Sequence, residues 1–547
     1  MPVARPATAP EGVYPVPAGP SPAERTALRV LQAGALLVVL SASTYKVFEL
    51  DRFFVPKELV LHGTGLVAGI LTLGAIRRIR GTRVDVLLLA FLLLSAVSAL
   101  LATNVWLAMR AVAVTASGLA VFWAARGVRE AGLARPLLTA LSVAVVLGAA
   151  TSLAQTYGVR TDWFSMNRAP GGTLGNRNFI AHLAAFGLPL VLLSALRAWR
   201  GAGYAIGAVA VALVTASLVL TRSRAAWLAF GAVALVFAFS MLASRPLRRN
   251  GRTWLRGAGI LLVAGGGVAA ALTLPNTLRW NSENPYLESV KGVANYQEGS
   301  GRGRLIQYQR SLRMAVFHPL LGVGPGNWAV RYPEYAARRD PSMDPNTAGA
   351  TSNPWPSSDW VAVAAERGFV ALGVLALAFA GLAIGGLHRL IRARDADEAL
   401  GAAALLATLV AANVAGAFDA VLLLALPSLL VWATLGALWS PEPDGRQAIS
   451  LPVRRLALVF AALAAGAGAV RSGAQLAGMG LFATRGDTAS LRRAAQLDPG
   501  NYRIRLRLAR SGGRRAERCE HARAARDLYP NAAAARAAAA RCPRKEP

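Results

Sequence analysis

Cysteine, histidine and charged residues are all scarce in this chain of 547 residues, which has two cysteines and five histidines. No histidine, cysteine or acidic cluster has the spacing of metal ligands, so neither a metal nor another cofactor is expected. Charged residues make up 16% of the chain and apolar residues 54%. This balance excludes an ordinary soluble domain and predicts an integral membrane protein. The alternation typical of membrane barrel strands is missing, so helical spans are expected.

Long apolar runs are the main feature of the chain. Stretches such as LLLAFLLLSAVSALLA (87–102) approach the roughly 20 residues that a helix needs to cross a bilayer. They predict an all-α, polytopic membrane protein with about 13 transmembrane helices. The predicted spans are 27–47, 58–76, 84–103, 106–125, 136–156, 179–196, 203–220, 225–243, 255–274, 368–387, 399–417, 420–439 and 456–472.

Basic residues fall in every second loop between these spans. Arginine and lysine in short loops mark the cytoplasmic side, so the N-terminus is predicted to be cytoplasmic, and an odd number of spans places the C-terminus outside. The loop clusters account for much of the net charge of +31, and a nucleic-acid partner is therefore not expected. The clusters are RRIRGTR (77–83), ARGVREAGLAR (125–135), RAWRG (197–201), RPLRRNGRTWLR (245–256), HRLIRAR (388–394) and Arg454–Arg455.

The predicted spans divide the chain into five parts. Residues 1–26 are rich in proline and alanine and lack the positive region and cleavage site of a secretory signal, so they are predicted to be a disordered cytoplasmic leader. Residues 27–274 and 359–472 are the first and last parts of a transmembrane bundle. A large outward loop, 275–358, separates them, and an outward helical tail, 473–547, follows them.

Two related pentapeptides mark the tail. LDPGN (497–501) and LYPNA (528–532) recur 31 residues apart, which is similar to the helix-turn-helix junctions of degenerate tetratricopeptide repeats. A simple helical hairpin is an alternative of equal weight. From residue 476 the tail carries 16 Lys or Arg against 6 acidic residues. This excess favours contact with anionic head groups or glycolipid phosphates, or else a solvated basic face.

Both cysteines of the chain, Cys519 and Cys542, lie in this tail. Cys519 is near the start of one predicted helix and Cys542 is at the end of the next, and these ends meet in an antiparallel hairpin. A disulfide is therefore expected in an oxidising compartment, which agrees with the outward placement of the tail. Two unpaired thiols are the alternative.

Arginine-bearing turns stand in the outward loops. TRSRAAW (221–227) places Arg222 and Arg224 in a tight turn between two spans. GRGRLIQYQRSLRMAVFHPLLGVGPGNW (301–328) begins with Arg302 and Arg304 on a predicted helix. Arginine at a membrane boundary commonly extends to the head groups, and GVGPGN lacks the strand-helix context of a dinucleotide loop. Each motif alone is therefore a weak signal.

Taken together, these motifs resemble the O-antigen ligase and polymerase family of bacterial envelope glycan enzymes in residues, order and topology. The resemblance covers most of residues 30–440. It implies an inner-membrane enzyme that takes a glycan from undecaprenyl diphosphate and passes it to a hydroxyl of lipid A core, a protein or another repeat unit. The other motifs that carry it are FFVPKELVL (53–61), GTLGNRNFIAHL (172–183), AAERGFVALGVL (364–375) and FDAVLLLALPSLLVWATLGAL (418–438).

The resemblance implies that arginines bind the diphosphate, because guanidinium groups bind phosphate oxygens bidentately and keep their charge. Arg224 matches the arginine of the family's Ser-Arg turn, and Arg304 matches the arginine that opens the loop helix. Arg222 and Arg302 are near alternatives, since the sequence leaves the register open by about one turn or two residues.

The stretch SSDWVAVAAERG (357–368) departs from the family. Alignment on its AAERG segment places Ser357 where the family has a histidine that is proposed to activate the acceptor hydroxyl. Serine has no pKa near neutrality and cannot replace imidazole as a general base. Asp359 is the candidate replacement, with Ser357 beside it. The alternative is that Ser357, Ser358 or Asp359 simply caps the following helix.

Three classes of function remain open at this point. The first is an active glycosyltransferase, either ligase or polymerase, and the second is a silent relative that binds lipid-linked glycan, or a partner protein through its tail. The third, a lipid or solute transporter, is least favoured because the charges, Asp419 among them, lie at the edges of the spans. His182 and His318 are expected to be structural, and Glu366 is expected to face the interior rather than lipid.

Overall fold

Long helices dominate the computed structural model, which describes residues 19–46, 50–75, 81–280, 282, 284–292, 299–440, 448–449, 452–511 and 513–543. Two short strands, β1 (Gly81–Thr82) and β2 (Ala448–Ile449), pair antiparallel, with Gly81 opposite Ile449. The helices are α1 (Pro22–Leu40), α2 (Asp51–Ala75), α3 (Arg83–Ala99), α4 (Val105–Glu130), α5 (Ala134–Thr156), α6 (Arg177–Leu196), α7 (Gly201–Leu220), α8 (Arg224–Ala243), α9 (Arg245–Arg248), α10 (Gly251–Thr273), α11 (Pro285–Lys291), α12 (Gly299–Phe317), α13 (Trp328–Arg331), α14 (Asp359–Arg392), α15 (Ala396–Phe418), α16 (Ala425–Leu438), α17 (Val453–Thr484), α18 (Thr488–Leu497), α19 (Tyr502–Arg510), α20 (Arg515–Leu528) and α21 (Ala533–Ala540).

Each of the 13 predicted spans overlaps one of these helices. Within the described ranges, ten helices are long and apolar enough to cross a membrane: α2, α4, α5, α6, α7, α8, α10, α14, α15 and α17. Helices α3 and α16 have only 17 and 14 residues, and α1 carries charges in its first turns. The predicted all-α, polytopic membrane protein is therefore confirmed, whereas the count of 13 stays a prediction.

The first helix begins inside the segment that was predicted to be a disordered leader. Ser21 accepts a hydrogen bond from the Glu24 backbone N–H, and the Glu24 side chain accepts one from the Ser21 N–H, which forms a capping box. Pro22 follows in the first position of the helix, where its missing N–H costs nothing. Residues 1–18 of the leader lie outside the described residues.

Buried ion pairs join the helices at the end of the bundle where the predicted basic clusters lie. Arg126 donates to the buried carboxylate of Asp85 at 2.9 Å, and Arg454 donates to Glu130 at 2.8 Å. Charges removed from water in this way need such partners. Arg126 and Arg454 thus connect α3, α4 and α17 and are not free loop charges. The orientation of the bundle relative to the cytoplasm stays a prediction.

Helix α14 is interrupted at Gly368, whose φ of 83° and ψ of 171° are outside the helical region. A side chain at this φ would be strained, so glycine fits the break. The N–H of Phe369 donates to the Pro319 carbonyl at 2.8 Å instead of continuing the helical pattern. The break separates the first nine residues of α14 from the rest of the helix, and the predicted span 368–387 starts at it.

The tail begins in the last turns of α17, and after a short non-helical segment at 485–487 it folds as the four helices α18 to α21. The LDPGN pentapeptide joins α18 to α19, and LYPNA joins α20 to α21, so both occupy the predicted helix junctions. Cys519 and Cys542 are paired, with Cα atoms 5.5 Å apart. The likeness of these hairpins to tetratricopeptide repeats stays a prediction.

The tail contacts the bundle and the large loop. Asn104, before α4, donates to the Gly500 carbonyl at 3.1 Å, and Asn531 donates to the Val330 carbonyl at 3.0 Å. The N–H of Ala533 donates to the Ala348 carbonyl at 2.9 Å. The end of the bundle that carries the tail and the large loop is called the loop end below.

Candidate functional site

The turn between α7 and α8 presents two of the predicted arginines. The Thr221 hydroxyl donates to the Leu218 carbonyl at 2.6 Å and closes the last turn of α7. Arg222 then adopts a φ of 56°, a left-handed conformation that residues other than glycine seldom adopt. Arg224 begins α8 directly afterwards. Such local strain is found preferentially at functional sites.

A segment of the large loop covers this turn. Arg222 donates to the Ser289 hydroxyl at 2.9 Å, and Arg224 donates to the Gly292 carbonyl. The Trp280 ring carries two guanidinium groups, those of Arg222 at 4.7 Å and Arg177 at 5.1 Å from the ring centroid. An electron-rich indole face stabilises such cations. Three arginines from two elements of the bundle therefore converge under α11 and the residues before it.

Helix α6 connects these arginines to a carboxylate. Arg177 and Asn178 open the helix, and Asn178 donates to Asp419 at 3.3 Å. The Asp419 carboxylate lies 3.8 Å from Nε2 of His182, and its other oxygen accepts the Ala420 N–H at 2.8 Å. A helix N-terminus carries partial positive charge and unpaired N–H groups, which suit an anionic ligand.

Helix α12 closes the site from the loop side. Arg304, near its start, is close enough to His182 to interact with it electrostatically. Arg302, two residues earlier, is exposed. The structure thus places Arg304 within electrostatic range of His182 and leaves Arg302 on the surface of α12. It places Arg222 beside Arg177 at the Trp280 ring, and Arg224 at the end of α11.

The predicted Ser357–Asp359 stretch lies under α12 as well. The Tyr308 hydroxyl donates to the Ser357 carbonyl at 2.6 Å, and the Ser357 N–H donates to Gln307 at 2.6 Å. Ser358 is the cap: its hydroxyl accepts the Val361 N–H at 3.4 Å and donates to the Gly416 carbonyl at 3.2 Å. Ser358 is therefore the N-cap residue of α14.

Asp359 holds the loop that follows α15. One carboxylate oxygen accepts the Val421 N–H at 3.0 Å and the other accepts the Leu422 N–H at 2.9 Å. The residue is only 5% exposed. Because both oxygens already accept backbone hydrogen bonds, Asp359 fixes the position of the segment that carries Asp419.

Glu366 joins two of the motifs that were singled out in the sequence. Its carboxylate accepts the Gly326 N–H at 2.8 Å and the Trp328 N–H at 3.1 Å. At 3% exposure it faces the interior, as predicted. The glycine turn needs this support because Gly322, Gly324 and Gly326 have φ values of 63°, 98° and 68°. GVGPGNW and AAERG therefore form one structural joint.

Two tyrosines outside the membrane-spanning helices have raised pKa values. Burial raises the pKa of the Tyr286 hydroxyl in α11 and of the Tyr332 hydroxyl in the large loop. Both phenols stay protonated near pH 7, and the Tyr332 hydroxyl donates to the Asp340 carboxylate at 2.8 Å. Within the described ranges, no group of three or more His, Cys, Asp or Glu side chains could hold a metal ion.

Sequence reasoning missed Arg177, Asn178 and Trp280 as members of this site. Arg177 and Asn178 were visible in the GTLGNRNFIAHL motif, but nothing in the pattern indicates which other elements they face. Trp280 lies in the long loop, where no periodicity fixes its position. Asp419 was placed at the outer edge of a span, and only the folded bundle shows that it meets Asn178 and His182.

These features define a helical membrane protein with a cationic site where span ends meet a large loop. Residues 208–376 match the family model described as O-Antigen ligase. This match supports the resemblance to the O-antigen ligase-like family, and that family indicates glycan transfer in envelope polysaccharide assembly. The match includes the Arg222–Arg224 turn, α12 and the start of α14, whereas Arg177, Asp419 and the tail lie outside it. A search of curated proteins found no match to the chain.

Proposed function

We propose that the protein transfers a glycan from undecaprenyl diphosphate to an acceptor hydroxyl at the periplasmic face of the bacterial inner membrane, with its loop end in the periplasm. The observation that carries this proposal is a cluster of three arginines: Arg177 and Arg222 lie against the Trp280 ring, and Arg224 donates to the Gly292 carbonyl at the end of α11. A lipid diphosphate has its charge at the membrane surface, where the ends of α6 and α8 lie. Guanidinium groups suit that charge because they bind phosphate oxygens without losing their proton.

In this reaction the acceptor oxygen forms a bond to the anomeric carbon of the donor sugar. The bond from that carbon to the diphosphate oxygen breaks, and the diphosphate leaves with the electron pair. Arg222, Arg224 and Arg304 stabilise the negative charge that develops on the leaving group. Arg302 is the alternative to Arg304 on α12. The acceptor proton passes to a carboxylate.

Asp359 and Asp419 are the two candidates for this carboxylate. Asp359 is the one predicted from sequence, with Ser357 beside it, but a catalytic role requires it to release at least one backbone N–H. Asp419 has 14% of its side chain exposed and lies next to the arginines through Asn178. A general base must reach the proton that it removes, so this geometry favours Asp419.

The test is glycan transfer from a synthetic undecaprenyl-diphosphate oligosaccharide by the full-length protein in detergent, with donor binding measured in the same samples. Arg224→Ala and Arg304→Ala are expected to weaken donor binding and to lower transfer at least ten-fold. Arg302→Ala shows which arginine of α12 the donor uses. Arg313→Ala is the matched control, because Arg313 is an exposed residue of α12 that packs against Phe317.

The carboxylates are separated by substitution with the isosteric amide. Asp419→Asn is expected to abolish transfer while donor binding persists, whereas Asp359→Asn retains part of the transfer activity. Donor binding without transfer by the wild type, with activity appearing only in Ser357→His, would instead identify a silent relative. Failure of the wild type to bind the donor at all would refute the proposal.

A further inference from the structure

A cavity distinct from the arginine site lies at the loop end, under the tail. Its volume is about 350 Å³. The starts of α2 and α4, Arg471 and Gln475 of α17 and the loop 350–355 form its sides, and the turns of the tail close it. Cavities of about this size hold small organic ligands, and their polar groups determine which ones.

The lining of this cavity carries many charges but no net charge. Four arginines, Arg110, Arg367, Arg471 and Arg503, are balanced by four acids, Asp51, Glu58, Glu366 and Asp498. Arg110 donates to both oxygens of Glu58 at 2.9 Å and to Asp51 at 3.0 Å. A ligand with a net negative charge, such as a diphosphate, gains little from such a balanced surface. The arginines around Trp280 make the opposite kind of site.

Aromatic side chains provide the apolar part of the lining. Tyr502 and Tyr529, both from the tail, stack with ring centroids 4.3 Å apart. Trp355 approaches Phe54 edge-on at 5.1 Å on the side of the large loop. Burial raises the pKa of the Tyr529 hydroxyl, which therefore keeps its proton and can donate.

This combination fits a neutral sugar. Sugar hydroxyls both donate and accept hydrogen bonds, so they can pair with carboxylates and guanidinium groups in the same site. The C–H faces of a sugar ring are apolar and pack against aromatic rings, which also offer a polar edge. Carboxylates, guanidinium groups and aromatic rings all stand in this lining, so it supplies all three kinds of contact.

The cavity also adjoins the proposed reaction site. Leu423 and Leu424, in the segment that Asp359 fixes after Asp419, line it. Phe54, at the same wall, contacts Phe179 at 5.5 Å, and Phe179 follows Asn178 of the arginine site. The cavity and the proposed reaction site therefore share a wall made of the segment after Asp419 and the Phe54–Phe179 pair.

We propose that this cavity binds a neutral sugar of the acceptor, and that the tail provides the wall that selects it. The assignment rests on the proposed function, because an acceptor is needed only if glycan is transferred. It gives the tail a direct part in substrate recognition: Asp498, Tyr502, Arg503 and Tyr529 all line the cavity and all belong to the tail.

The first test measures binding of the fluorescently labelled full-length protein, in detergent micelles, to an array of neutral and acidic oligosaccharides. The wild type is expected to bind at least one neutral glycan, and Arg503→Ala and Tyr529→Ala are expected to weaken that binding ten-fold or more. Tyr529→Phe retains the ring and is expected to lose less. Arg510→Ala is the matched control, because Arg510 lies exposed on α19 outside the lining.

Binding of inorganic pyrophosphate, measured on the same variants, separates this inference from the proposed function. Arg224→Ala should lose pyrophosphate binding and keep neutral-glycan binding, whereas Tyr529→Ala should do the reverse. In the transfer assay, Arg503→Ala should raise the KM for the acceptor and leave the KM for the donor unchanged. No glycan binding by the wild type, equal binding by all variants, or a preference for phosphorylated glycans would overturn the assignment, even where pyrophosphate binding and transfer are intact. A different result would overturn the proposed function alone. In that result the wild type neither binds pyrophosphate nor transfers glycan, but it binds the neutral glycan and Arg503→Ala and Tyr529→Ala weaken that binding.

Discussion

Removal of the Asp359 carboxylate distinguishes a structural anchor from a general base. The substitution Asp359→Ala leaves the N–H groups of Val421 and Leu422 without their acceptor. Each buried N–H that loses its partner costs about 1–3 kcal/mol, so the two together should lower the free energy of unfolding by about 2–6 kcal/mol. Asp359→Asn keeps one acceptor oxygen and should cost about half as much.

The assay is equilibrium unfolding in mixed micelles of SDS and a non-ionic detergent, followed by tryptophan fluorescence. Asp527→Ala is the control, because its carboxylate is 65% exposed and its pair with Arg526 lies in solvent. Exposed ion pairs contribute about 0–1 kcal/mol, so this variant should unfold almost as the wild type does. An Asp359→Ala protein that is as stable as the wild type yet inactive would refute the anchor and support a chemical role for this carboxylate.

Three further predictions concern Glu366, the tail disulfide and the pH dependence of tail stability. Glu366→Ala removes the acceptor of two buried N–H groups and should lower the free energy of unfolding by about 2–6 kcal/mol in the same assay. Glu366→Gln keeps an acceptor oxygen and should cost less. Equal stability of both variants and the wild type would contradict this prediction. The double variant Cys519→Ser, Cys542→Ser removes a disulfide that spans 23 residues and should destabilise the tail by about 3 kcal/mol. Proteolysis of the tail should then be faster than in the wild type. A reductant should accelerate proteolysis of the wild type to the same extent and should have no effect on the variant. Burial raises the pKa of Asp498, so its folded form binds the proton more tightly than the unfolded form. Tail stability should therefore fall as the pH rises from about 4 through that raised pKa, and Asp498→Asn should flatten this fall in pH-dependent proteolysis; an unchanged profile would show that Asp498 does not cause it.

Hydropathy predicted the positions of the helices because a bilayer demands long apolar segments wherever they occur in the chain. Capping was predictable for a similar reason: Ser358 and its neighbours can satisfy free N–H groups using local sequence alone. The leader was predicted too long because the capping box at Ser21 and Glu24 was not weighed against the proline-rich composition around it.

Long-range contacts mark the limit of what the sequence could predict at the site. The turn around Arg222 and Arg224 was identifiable, since the residues are adjacent and the turn is tight. Their partner Trp280 is more than fifty residues away in a loop without periodicity, and no local rule pairs them. The same applies to Asp359, whose acceptor role depends on backbone N–H groups beyond α15.

Helix α17 joins the last predicted span to the tail, and its length limits how far the tail can stand from the membrane. Its 32 residues give a length of about 48 Å at the usual helical rise. The apolar core of a bilayer is about 30 Å thick, so about 18 Å of the helix stands clear of it. The last turns of α17 pack against the tail, because Met479 and Phe482 share an apolar cluster with Leu491 and Ile504. One additional helical turn in α17 would therefore move the tail wall away from the bundle by about 5 Å.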